Sequence, residues 1–213
     1  RGTRDSAAAA GVYRSRPVAT PPLLECEQGS RPGADLAGDR RTFLEEAAGA
    51  LARARDAVEI VHQLTLSAVP VLADWCTVHL FGAEGHLERM ALVHRDPSKT
   101  SAGTRLVGGT DIQPGADHPV GQSLASGRPV VVPDIDEQKA DRILGPDDPR
   151  RELYDLLGVR HSMVVPLVHE GESLGALTLT LGDSGRSYTP ADALLVEALA
   201  QRAAPHLVRL RSA

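Results

Sequence analysis

The side chains best placed to meet a small molecule stand at alternate positions of two strand-like runs. In Trp75–Phe81 these are Thr77 and His79; in Ser173–Leu181 they are Thr178 and Thr180. Alternate positions of a strand share one face. Short polar side chains on an inward face leave volume and hydrogen-bonding groups for a ligand. The same pattern also has a plain structural reading, because β-branched Thr suits strands without any ligand. His94 closes a neighbouring run, and His79 or His94 offers an imidazole to a haem iron. Haem is the less favoured alternative, since the chain shows no attachment motif, and the sequence names no cofactor. Arg105, with Lys99 and Arg128, lies near these runs and supplies positive charge for an anionic ligand, or else a solvated surface.

Motifs for catalysis are missing. The sequence holds no GxSxG, P-loop or HExxH motif. Ser162 follows His161, but adjacent strand residues point to opposite faces. Asp134 and Asp136 read as a polar loop after a short strand rather than as an acid–base pair. Of the two cysteines, Cys26 and Cys76, only Cys76 falls in the patterned region. A lone buried cysteine usually packs as a small hydrophobe. The chain is therefore expected not to be an enzyme.

Bulk composition narrows the classes further. The chain has 213 residues, of which 42% are hydrophobic and only 3% aromatic, with a formal net charge of -5. That suffices for one aliphatic core. It argues against nucleic-acid stacking platforms and against anionic membranes. No apolar run approaches the roughly 20 residues that cross a bilayer. Widely spaced cysteines fit a reducing compartment, so a cytoplasmic location is expected. With no initiating Met and no signal peptide, the chain reads as a piece of a longer protein.

The elements that position these residues follow from periodicity. Residues 1–40 are Ala-, Gly-, Pro- and Arg-rich and read as a disordered or linker segment. From 41 onward helical spacing predicts helices over 41–54 and 56–69, the second opened by Asp56 with Glu59 in a capping-box arrangement. A hairpin follows over 75–81 and 86–94. Residues 95–117 read as a long loop, 120–126 as a short helix closed by Gly127, and 130–132 as a short strand. The polar stretch 137–149 is left unassigned. A helix is expected over 151–157, stopped by Gly158, and then a second hairpin over 161–168 and 173–181. Thr189-Pro190 starts a terminal helix, which Pro205 is expected to kink or stop before Leu207. Hairpin-linked strands with helices from both chain ends make an α+β layer fold.

In that order, the stretches Val69–Phe81, Gly127–Asp134, Gly158–Leu167, Gly171–Leu179 and Tyr188–Asp192 resemble a GAF domain. The likeness spans about residues 41–210. It is similar in flavour to the GAF domains of bacterial sensor histidine kinases and PPM-type serine phosphatases. The resemblance implies a central antiparallel sheet of five or six strands. Terminal helices would cover one face, and loops and short helices would enclose a ligand pocket on the other. It also implies a regulatory role: a small-molecule ligand, a homodimer through the terminal helices, and a linked kinase or phosphatase output domain. A structural GAF domain without ligand is the rival reading. Some GAF-fold proteins reduce methionine sulfoxide with clustered cysteines, which are missing here. Covalent bilin would need a cysteine in 95–130, and cyclic-nucleotide GAF domains carry an Asn-Lys signature that a chain without Asn does not have.

Overall fold

The computed structural model describes residues 36–82, 85–106, 117–144 and 150–211. Its centre is a five-stranded antiparallel sheet in the order β2-β1-β5-β4-β3. The strands are β1 (Trp75–Phe81), β2 (Leu87–His94), β3 (Val130–Val132), β4 (His161–His169) and β5 (Glu172–Leu181). The two hairpins meet through β1 and β5, so the first and last runs lie side by side, with Thr77 opposite Thr178 and Trp75 opposite Thr180. β3 pairs only with Ser162–Val164 of β4. Pro166 follows beyond that pairing, where a residue without an N–H is tolerated.

Three long helices cover one face: α1 (Leu36–Arg53), α2 (Ala57–Ala68) and α7 (Pro190–Arg211). They bury Leu51, Ile60, Leu64, Val196, Leu199 and Leu207 against Cys76, Val78, Met163, Val165, Leu177 and Leu179 of the sheet. Alternation in β1 and β5 sends these apolar residues to the helix side and the threonines to the other. Local chemistry fixes the helix starts. Asp56 accepts from the Glu59 amide at 2.8 Å. Thr189 and Asp192 cap each other's backbone N–H, at 2.8 and 3.3 Å.

Four shorter helices lie along the β2–β3 and β3–β4 connections: α3 (Pro97–Leu106), α4 (Pro119–Ser126), α5 (Glu137–Leu144) and α6 (Arg150–Leu157). α4 ends at Gly127 in the left-handed conformation (φ 64°), which costs glycine little.

The structure corrects the sequence reading in four places. Residues 97–106 are helical rather than loop. Asp96 opens that helix, accepting from the Ser98 amide at 2.9 Å, with Pro97 in the first turn. Residues 137–144 form α5, opened by Asp136, which accepts from the Lys139 amide at 2.7 Å. α1 begins at Leu36, inside the segment assigned to the linker; the rest of that segment, 1–35, lies outside the described residues. α7 runs through Pro205 to Arg211. Pro205 is exposed, so the carbonyl it deprives of a donor faces water, while Ala203, Ala204 and Leu207 stay buried and hold the helix on the sheet.

Candidate ligand-binding face

The sheet face opposite the long helices carries two apolar islands. One is Leu87, Val120, Leu124, Val164 and Ala176, beneath α4. The other is Trp75, Leu92, Ile135, Ala140, Leu153, Leu157 and Val159, beneath α5 and α6. Thr77 and Thr178 belong to neither island and form one cross-strand pair. Thr77 is 5% exposed and Thr178 is half-buried. Thr180 and Ser162 form the neighbouring pair on β5 and β4, both buried. His79 follows on β1, 6% exposed, opposite Ala176.

His94 stands opposite Trp75 at the outer end of the Trp75–Thr180 row. The Arg95 amide bonds the Asp74 carbonyl at 2.7 Å, and the His94 amide turns away to Thr100 Oγ1 at 2.8 Å. Trp75 and His94 are therefore a non-hydrogen-bonded pair, the kind whose Cα atoms approach to about 4.5 Å. The Asp96 amide donates to His94 Nδ1 at 2.8 Å, so in the neutral ring the proton is on Nε2. Burial, aided by the charge of Lys99, pushes the imidazole below its ordinary pKa. The ring is thus a neutral N–H donor at neutral pH.

Among the described residues, three enclosed polar atoms on this face have no protein partner: Trp75 Nε1, His94 Nε2 and Thr178 Oγ1. Leaving a buried donor or acceptor unmade costs about 1–3 kcal/mol each, and native structures hold few of them. They share this face with the two apolar islands.

Of the six residues singled out in the sequence, Thr77, His79, His94, Thr178 and Thr180 share this face. Arg105 is in α3, and its side chain lies outside the described residues. Lys99 is tied to Asp183 at 2.7 Å, so it is not a waiting anion contact. Arg128 is exposed. Asp134 and Asp136 are loop and cap: the Asp134 amide donates to His161 Nδ1, and Asp136 opens α5. Haem does not fit His94, because an iron-ligating Nε2 must be free of its proton, and the Asp96 amide holds the opposite tautomer. Cys76 packs in the helix-side core, and burial pushes its thiol far up. It is a hydrophobe on the wrong face for chemistry with a ligand. No helix among the described residues is long and apolar enough to cross a membrane.

Two residues escaped the sequence reading. Trp75 follows from the same alternation that groups Thr77 with His79. Asp74 has no local signal. Its fully enclosed carboxylate accepts from the amides of Gly182 and Ser184, at 2.8 and 3.0 Å, and from Arg95 Nη1 at 3.1 Å. Burial alone would raise its pKa; these donors outweigh it and hold the carboxyl below its usual range.

Comparison with known proteins fits this layout. The family model described as GAF domain matches residues 52–207. The fold is similar to that of the GAF domain of the cyanobacteriochrome TePixJ, at 21% identity and a TM-score of 0.60, covering 76% of this chain and 96% of that one. It is also similar to free methionine-R-sulfoxide reductase from Neisseria meningitidis, solved with its substrate, at 20% identity and a TM-score of 0.60 over 85% and 95% of the two chains. A domain of a two-component sensor histidine kinase protein from Sinorhizobium meliloti matches at 16% identity and a TM-score of 0.54 over 75% and 95%. No curated protein sequence matches the chain.

Proposed function

The chain belongs to the GAF domain family, and we propose that it is a non-catalytic sensory module that binds a small molecule on the Thr77–Thr178 face. The observation that carries this reading is the set of enclosed, unpartnered polar atoms on that face, flanked by two apolar islands. Apolar walls with a few convergent polar groups are the usual make-up of a ligand site. A domain that merely held partners together would be expected to fill this face with matched apolar side chains. Against catalysis stands the placement of Cys76 on the far side of the sheet. Occupancy would bias a linked output domain, a kinase or phosphatase, through α7, and two copies would pair through the outer surfaces of α1, α2 and α7. Leu194, 67% exposed on α7, is the apolar residue that such pairing would cover.

Native mass spectrometry of the purified chain tests this. The expected result is a non-covalent added mass whose occupancy drops in Thr77→Val/Thr178→Val, a nearly isosteric change that removes two hydroxyls. No added mass, or equal occupancy in that variant with unchanged circular dichroism, would sink the reading.

A further inference from the structure

From the Trp75–His94 pair we infer that the ligand is a small neutral molecule that presents a carbonyl-type acceptor, as a cyclic amide or urea does, to two adjacent N–H donors. This rests on the proposed binding face and adds the chemistry of its occupant. Trp75 is 5% and His94 4% exposed, and each keeps one nitrogen enclosed without a partner among the described residues. An indole nitrogen can only donate. His94 Nε2 also donates, because Nδ1 already accepts the Asp96 amide. The two rings leave directly opposed positions of a non-hydrogen-bonded pair, where side chains lie closest. We take the two nitrogens to be close enough for one acceptor group to engage both. Thr178 Oγ1, in the next row about 7 Å along the strands, is a hydroxyl that either donates or accepts and suits a second polar edge of a flat ring.

Charge selects a neutral group over a carboxylate. The described cations beside the pair are already held, Arg95 by Asp74 and Lys99 by Asp183. Asp96 stands next to His94 and adds negative charge; it accepts from Ser98 rather than from a cation. A carboxylate brought here would lose its hydration and would have to compete with Asp74 and Asp183 for the nearby cations, whereas a carbonyl loses little and gains two donors. Protonating His94 does not rescue the anion, because a proton on Nδ1 breaks the Asp96 bond.

Trp75 is the only tryptophan in the chain, so its indole N–H gives one unambiguous nuclear magnetic resonance signal. The full chain, labelled with ¹⁵N and with ¹³C in the Thr methyls, is titrated with 2-pyrrolidinone, uracil and cyclopentanecarboxylate. The inference expects the indole proton to move downfield with the first two and not with the carboxylate. His94→Phe should weaken that binding roughly 3- to 10-fold, the worth of one neutral hydrogen bond. His94→Gln, which keeps a donor, should weaken it less. The wild-type titration decides the matter even if a variant fails to fold. Movement of the Thr77 and Thr178 methyls without the indole would overturn the donor-pair inference and leave the binding face standing. A carboxylate that binds as well as the amides would overturn the choice of a neutral ligand. Silence of both indole and methyls toward every probe would overturn the inference and the binding face together.

Discussion

Asp74 is the side chain whose replacement should be felt most sharply. Its Oδ2 takes two backbone amides, Gly182 and Ser184, and its Oδ1 takes Arg95. In Asp74→Ala both amides lose their acceptor. At about 1–3 kcal/mol for each unmade bond, the expected loss is about 2–6 kcal/mol. Asp74→Asn can aim its amide oxygen at the two N–H groups and lose only the charge assistance. Charged bonds are worth roughly 1 kcal/mol more than neutral ones, so two of them put the loss at about 2 kcal/mol. Arg95 is 46% exposed and turns to water at little cost. The sign with pH follows from the carboxyl's lowered pKa. A depressed carboxylate contributes stability that is present above the unfolded value, about 3.9, and is lost as pH falls through the folded value. The cost of Asp74→Asn should therefore be full near pH 7 and smaller at about pH 3, which lies below the unfolded value, and it should vanish only once the pH has passed below the lowered folded value. Other carboxylates titrate equally in both proteins and cancel. Urea unfolding followed by circular dichroism, at both pH values, measures this. A cost that is the same at the two, or an Ala variant no worse than the Asn variant, would refute the reasoning.

Pro205→Ala should leave helicity unchanged, because α7 already continues through Pro205. It should raise stability by about 1–3 kcal/mol, since alanine restores the missing donor in an exposed turn; circular dichroism and urea unfolding read both effects. Gly175→Ala should cost more than about 2 kcal/mol. A Cβ there would sit 2.0 Å from the His79 carbonyl oxygen and 2.8 Å from Leu80 Cα. Both neighbours are backbone of the paired strand and cannot step aside.

What was legible in the sequence had a local cause. The hairpins announced themselves by alternation, α4 by Gly127, and α7 by the Thr189-Pro190-Ala191-Asp192 start. α3 and α5 were missed because both are short and polar, α3 without a strong apolar stripe and α5 with Ala140 as its buried residue, so their caps at Asp96 and Asp136 were not recognised as helix starts. Pro205 misled because its cost depends on which side of the helix faces water, and tertiary packing decides that. On the proposed binding face, parity grouped Thr77 with His79 and Thr178 with Thr180. Joining the two pairs required β1 to lie beside β5, a contact across 100 residues. Asp74 holding Gly182 and Ser184 is a still longer link, and no window along the chain contains both ends.

The same distant contacts show how a ligand on one face would be felt on the other. The segment between β5 and α7 is fastened at several points: Gly182 and Ser184 to Asp74, Asp183 to Lys99 of α3, and Arg186 to the Val71 carbonyl at 2.9 Å. These fastenings differ in strength. The Lys99–Asp183 pair has side chains 24% and 56% exposed and is worth a fraction of a kcal/mol. The Asp74 bonds are enclosed and several times stronger. A ligand that lifts α3 would therefore break the ion pair before it moved the root of α7. The firmer route runs through the sheet itself. Thr77 and Thr178 alternate with Cys76, Val78, Leu177 and Leu179, which pack in the same core as Val196, Leu199, Ala200 and Ala203 of α7. An interior at crystal-like density leaves no slack between these layers. A shift of the β1–β5 pair would press on that core, so under the proposed function the sheet, rather than the covering helix, would be the element that couples a ligand to α7.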